Sequence, residues 1–160
     1  FINWMGEFFV NLMSTMEKHV MVNIHSQFNE LFKKWFDILM EDETLNVRVD
    51  EEFTPVIEQN GYETYVENLS GGEKTSVALS YRLALNKVIN DIIVGIKTKD
   101  IIILDEPTDG FSTEQLDKVR DVLGQLNMNQ VIIVSHESKI ESFVQSVIRI
   151  EKHEHASVLV

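Results

Sequence analysis

The chain has 160 residues, enough for one domain with a sizeable core; 44% are hydrophobic and 25% charged, an ordinary globular balance. A formal charge of −12 argues against a basic nucleic-acid footprint, although a local patch can coexist with acidic surroundings. Without cysteine there is neither a disulfide framework nor a thiolate metal site. No apolar run is long enough to span a bilayer and no signal-peptide pattern opens the chain, so the plain expectation is a soluble cytoplasmic protein without membrane contact.

The opening segment, Phe1 to Glu41, reads as helix. Met5, Phe8, Leu12 and Met16 recur at spacings of three and four, as do Ile24, Phe28, Leu31, Trp35 and Ile38. A coiled-coil seam accounts for one such stripe. Phe9, Met13, Val20, Phe32, Phe36 and Leu39 lie beside it as a surplus, which predicts either a face buried on the chain's own domain or a docking surface for a partner. His19 and His25, six apart, do not share a helix face and make a poor metal pair.

β-Structure follows. Leu45–Val49 alternates, and Thr54–Glu58 and Tyr62–Val66 flank Asn60-Gly61, a strong hairpin signal. Tyr62 and Tyr65 fit cross-strand packing better than base stacking. Ser70 with Glu73 forms a capping box, opening a helix predicted to carry Ala78, Tyr81, Leu85 and Val88 and to end near Gly95. Asp100–Leu104 reads as a buried strand, and Ser112-x-x-Gln115 opens a helix sending Leu116, Val119, Val122 and Leu123 inward. Gln130–Val134 reads as a second buried strand, and Ser138-x-x-Glu141 as the cap of a short helix. Ser146–Ile150 with Ala156–Val160 reads as a closing hairpin, with His153 and His155 facing solvent near its turn.

The chemistry concentrates in two places. Gly71 and Gly72 at a helix N-terminus offer bare amides and the positive end of a dipole, which suits an anion. An apolar strand ending in Asp105-Glu106 delivers two carboxylates to the edge where α/β folds hold phosphates and metals. Together they point to nucleoside triphosphate chemistry. Asp105 suits Mg²⁺, largely through water; Glu106 suits a water polariser or base. His136, ending the second strand, suits a phosphate or that water, an ordinary core histidine being the alternative.

These residues also carry a family resemblance. Leu69-Ser70-Gly71-Gly72-Glu73 resembles the signature motif of ABC-type ATPases, Ile101–Glu106 their Walker B strand, and Val134-Ser135-His136 their switch histidine. Glu73-Lys74 after the glycines, Asp105-Glu106-Pro107-Thr108 and the coiled-coil-like approach most resemble the C-terminal ATPase half of the archaeal Rad-fifty family, the SMC-like subunit of a double-strand-break repair complex. The resemblance implies an α/β fold, half of an ABC-type head preceded by a coiled-coil helix. Residues 1–41 would end the coiled coil and dock a partner; residues 42–160 would form the ATPase lobe.

No G-x-x-x-x-G-K-[ST] phosphate loop occurs, so the chain is expected to be one half of a split ATPase, completed by an N-terminal half across a long coiled coil. The resemblance further implies ATP and Mg²⁺ as ligands and head dimerisation on ATP. In that dimer Ser70, Gly71, Gly72 and Glu73 would act in trans on the second subunit's nucleotide. It also implies an Mre-type nuclease at the coiled-coil base, double-stranded DNA as a partner and a nucleoid-associated location. Lys74 and Arg82 match basic positions of a conformational switch, a solvated helix face being the alternative. Ser112 stands where the family places its D-loop aspartate, with Asp109 as a possible substitute. An ABC transporter's nucleotide-binding half and another SMC-like chromosome-maintenance ATPase are the competing readings.

Overall fold

The computed structural model describes residues 2–40, 42, 44–92, 101–126, 128–153 and 156–159. Helix α1 (Ile2–Leu39) is continuous over 38 residues, as its unbroken period demands. Its two halves lie in different surroundings. From Trp4 to Val22 the large apolar side chains stand in solvent; from Phe28 onward the helix is the centre of the core. Phe32 is 0% and Phe36 1% exposed, packed with Trp35 and Leu39 against helix α2 (Gly71–Ile92). These two phenylalanines therefore leave the expected docking surface. The apolar surplus that periodicity assigned to one face is divided along the helix, and only its first half is available to a partner.

Three strands, β1 (Leu45–Val49), β2 (Pro55–Gln59) and β3 (Tyr62–Thr64), form an antiparallel sheet in that order. Asn60 and Gly61 both take positive φ (52° and 82°), as a two-residue type I′ connection requires. Leu45, Val47 and Val49 alternate into the core. Arg48, on the opposite face, pairs with Glu58 on the adjacent β2 and reaches across it to Glu63 on β3. Tyr62 and Tyr65 are 80% and 78% exposed, so neither ring is packed across the sheet as expected.

The sheet is locked to the helices at one corner. His25 donates from Nε2 to the Asp50 carbonyl at 2.7 Å, and Tyr81 donates from its hydroxyl to the Phe53 carbonyl at 2.9 Å. The Tyr81 ring meets Phe28 and Phe32 edge-on, with centroids 4.9 and 5.6 Å apart. Helix α2 buries Ser76, Val77, Ser80, Leu83, Ala84 and Val88, while Ala78 and Leu85 face outward. The core stripe is thus rotated from the apolar series chosen by period. Buried Ser80 resolves its hydroxyl within the helix, donating to the Ser76 carbonyl at 2.6 Å. The predicted stop near Gly95 lies outside the described residues.

Strands β4 (Ile101–Asp105) and β5 (Gln130–Val134) pair in parallel from Ile101↔Gln130 to Asp105↔Val134, with α3 (Thr113–Gln125) between them in the chain. Helix α3 carries the expected capping box and buries Leu116, Val119 and Val122. Only one face of the parallel pair is covered. Ile102 and Leu104 are buried, whereas Ile103 is 60% and Val134 52% exposed, with Ile132 beside them. The expected burial on both faces is therefore corrected: a continuous apolar run announces two covered faces, and among the described residues only one cover is supplied.

Two local expectations also change. The turn Ser138–Ser142 is a 3-10 helix whose N-cap is Glu137, without a side-chain bond, rather than Ser138; Glu141 instead accepts from Arg149 at 2.7 Å. The closing hairpin pairs β6 (Ile150–His153) with β7 (Ala156–Leu159), so the first strand begins where it was expected to end. His153↔Ala156 pairing fixes that register. The side chains of His153 and His155 lie outside the described residues.

Truncating Phe32 to alanine should cost about 3–5 kcal/mol in denaturant unfolding, the usual range for a buried phenylalanine. Phe9→Ala, at an exposed position, should stay within about 0.5 kcal/mol. Similar losses at both positions would contradict the division of α1 into a buried and an open half.

Candidate functional site

The Ser70 turn is closed by reciprocal bonds. Ser70 N–H donates to Glu73 Oε2 at 2.6 Å, and Glu73 N–H donates to Ser70 Oγ at 3.4 Å. The two glycines that follow have different reasons to be there. A Cβ on Gly71 would meet nothing within 4 Å, so this glycine leaves its surroundings open to an approaching group. A Cβ on Gly72 would lie 2.8 Å from Gln115 Oε1 and 3.1 Å from the Gly110 carbonyl oxygen; close packing excludes a side chain. Lys74 is committed locally, donating from Nζ to the Glu67 carbonyl at 3.0 Å, while Arg82 is exposed.

The carboxylates stand at the end of β4. Asp105 is its last residue, paired with Val134 and exposed. Glu106 extends the ladder, its N–H donating to the Val134 carbonyl at 2.9 Å, but its φ is +43°. For a residue with a Cβ that conformation costs on the order of 1–2 kcal/mol. The left-handed turn aims the Glu106 carboxylate toward the end of β5, where His136 Nδ1 lies 3.0 Å from Oε2. The bond to His136 holds the Glu106 carboxyl below the ordinary carboxylate range, and the same bond lifts the imidazole above the ordinary histidine value. His136 is exposed and paired, so the core-histidine alternative is excluded.

Between the two clusters runs loop 107–112. Thr75 Oγ1 donates to the Asp109 carbonyl at 2.7 Å, and Gly110, with φ +76°, backs onto Gly71 and Gly72. Thr108 is fully buried, and its Oγ1 has no hydrogen-bond partner among the described residues. Ser112 is used as the N-cap of α3, accepting from Gln115 N–H at 3.2 Å. The parallel pairing of β4 and β5 brings Asp105, Glu106 and His136 to one sheet edge, and the loop that follows β4 is fastened to the first turns of α2. No bond among the described residues joins the Ser70–Glu73 turn to Glu106 or His136. Sequence reasoning missed Thr75 and Gln115 as fastenings; Gln115 was legible only as the third residue of a capping box.

Among the described residues no cluster of three His, Asp or Glu side chains could enclose a cation. The exposed Asp105 carboxylate fits Mg²⁺, which usually takes one or two protein carboxylates and completes its shell with water and phosphate oxygens.

No protein-family model matches the chain. Sequence similarity runs to the DNA double-strand break repair Rad50 ATPase of Thermoplasma acidophilum, 29% identical over 122 residues, covering 73% of this chain and 12% of that protein. The protein of the same description from Thermococcus kodakarensis is 30% identical over 135 residues, covering 81% of this chain and 15% of its own length. The chain is homologous to archaeal Rad50 ATPases. It spans only 12–15% of the length of these two curated relatives. In fold it matches the Smc head domain with a coiled coil and joint from Pyrococcus yayanosii, with a TM-score of 0.73 at 17% identity over 95% of this chain and 30% of that one. A chain from a study of ATP-driven dimerization and DNA stimulated activation of SMC ATPases matches with a TM-score of 0.67 at 18% identity, covering 89% of this chain and 88% of that one. The fold is that of an SMC head with its coiled-coil approach: a long N-terminal helix and an α/β lobe.

The Glu106–His136 pair carries a signed pH dependence. His136, raised, contributes stability fully below its ordinary value of 6.5 and loses it as pH climbs through the folded value. Glu106, lowered, contributes above its ordinary 4.5 and loses this as pH falls through the folded value. The pair is therefore fully formed between those two ordinary values. Titrating the His136 imidazole by NMR should place its midpoint above that of a free histidine, and Glu106→Gln should bring it back down. An identical midpoint in both proteins would refute the pairing.

Proposed function

We propose that this chain is the C-terminal half of an ATP-dependent DNA double-strand-break repair ATPase. The observation that carries the reading is the Glu106–His136 pair at the ends of two parallel strands, beside Asp105 and a glycine-opened helix. Asp105 would hold Mg²⁺, which when bound would neutralise charge on phosphoryl oxygens. Glu106 orients the attacking water and accepts its proton at Oε1, since Oε2 is engaged by His136. That engagement fixes the carboxylate's rotamer and leaves the imidazole edge for a phosphate oxygen. Ser70 Oγ and the amides of Gly71 and Gly72 receive the γ-phosphate of a nucleotide held by a second subunit, with Glu73 closing the turn that presents them. That no bond among the described residues joins this turn to Glu106 leaves its amides free for action in trans.

The 160 residues contain no phosphate loop, so the N-terminal half must supply it. The exposed strip of Ile103, Ile132 and Val134 is the sheet face that half would cover. Residues 1–41 serve as the coiled-coil end, with the open half of α1 (Trp4, Met5, Phe8, Phe9, Leu12 and Met13) taking the second coiled-coil strand and the Mre-type nuclease. Residues 42–160 form the ATPase lobe, with the second half of α1 lending its core. ATP binding would drive head dimerisation, and hydrolysis would regulate the nuclease on double-stranded DNA. No helix among the described residues is long and apolar enough to cross a membrane; a cytoplasmic, nucleoid-associated location follows from the repair reading alone. A transporter's nucleotide-binding half is disfavoured by the long helix leading into the lobe.

In the ATPase assembled with its phosphate-loop half, Glu106→Gln should lower kcat by about two to four decades, the range for a lost general base. ATP-dependent dimers should outlive those of the parent protein. Undiminished turnover would remove Glu106 from the catalytic role.

A further inference from the structure

Helix α2 cannot present its glycines at a fixed angle by itself. The N–H groups of its first turn have no intrahelical acceptors, the Ser70–Glu73 bonds close that turn only on itself, and Gly71 and Gly72 contribute no side chains. Something outside the helix must set its position, and one side chain meets every element that converges there.

Gln115, in the first turn of α3, uses both ends of its amide. Oε1 accepts from Ser112 N–H at 3.0 Å, closing the cap of α3. Nε2 donates to Met40 Sδ at 3.3 Å, just past the end of α1, and to Ser76 Oγ on α2 at 3.5 Å. The amide also fills the space against Gly72, where a Cβ would be only 2.8 Å from Oε1. Ser76 is fully buried, so the donor reaches the inner side of α2, and Met40 continues the helix whose second half is the core.

We propose that Gln115 is a positioning residue: it fixes the Ser70–Glu73 turn of α2 against loop 107–112 and ties both to the end of α1. A tilt of α1 at Met40 then reaches Gly72 through this side chain as well as through the packing of α1 on α2. The capping function alone does not need glutamine, since glutamate at this position closes the same box. What glutamine adds is the pair of N–H donors directed away from α3. The consequence for turnover rests on the ATPase reading; the fastening itself does not.

Gln115→Glu separates the two roles. It keeps the cap acceptor, adds a favourable charge at the N-terminus of α3 and removes the donors that reach Met40 and Ser76. In the full chain its melting temperature should equal the parent's. Amide exchange from Lys74 to Val77 should rise about fivefold, the effect of one neutral hydrogen bond. Gln115→Ala, which also loses half the cap, should show the same rise together with a lower melting temperature. In the assembled ATPase, Gln115→Glu should lower kcat by about fivefold and leave KM for ATP unchanged, because the nucleotide is held by the other half. Unchanged exchange in α2 for a folded Gln115→Glu protein would overturn the proposal whatever the turnover. Faster exchange with an inactive parent assembly would uphold the fastening and overturn the ATPase reading instead.

Discussion

The first turn of α2 and the loop after β4 are in van der Waals contact through backbone. A methyl group on Gly72 would lie 2.8 Å from Gln115 Oε1 and 3.1 Å from the Gly110 carbonyl oxygen, so one or both would have to shift, and Gly110 takes a left-handed φ of +76°. Everything chemically distinctive in the chain hangs from that approach. On one side the loop leads back to Asp105 and Glu106; on the other it supports the turn whose amides remain open at Gly71. A larger residue at position 72 would push α2 away from the loop and separate the two clusters. The Thr75–Asp109 bond and the Gln115 amide then fix the distance that the glycines permit.

Much of the fold can be read from period and punctuation. The run to residue 39 contains no proline and only Gly6, and it is one helix; Asn60-Gly61 makes the hairpin; Ser112 and Gln115 cap α3. What period does not reveal is which neighbour covers a face. Phe9 and Phe32 occupy equivalent-looking places in the apolar pattern, yet one is in solvent and the other at the centre of the core. The difference comes from α2 and β1, elements far away in sequence. The same reason explains β4 and β5, whose apolar runs suit two covered faces although Ile103 and Val134 are open.

Of the candidate site, Asp105, Glu106 and His136 were legible because strand ends at fixed order must share a sheet edge once the strands pair in parallel. Their bond was not legible: it depends on the positive φ of Glu106, which nothing in an Asp-Glu-Pro sequence announces. Nor was the role of Gln115, whose partners come from residues 40, 72 and 76. The exposed Tyr62 and Tyr65 show the converse error, where good strand formers need not find a cross-strand mate.

The central claim is that these residues form half of a nucleotide site. Calorimetric titration of ATP with Mg²⁺ into the chain alone, and then into its complex with the phosphate-loop half, addresses this directly. The account predicts no measurable binding to the chain and micromolar or tighter binding to the complex. Micromolar affinity for the isolated chain would contradict it.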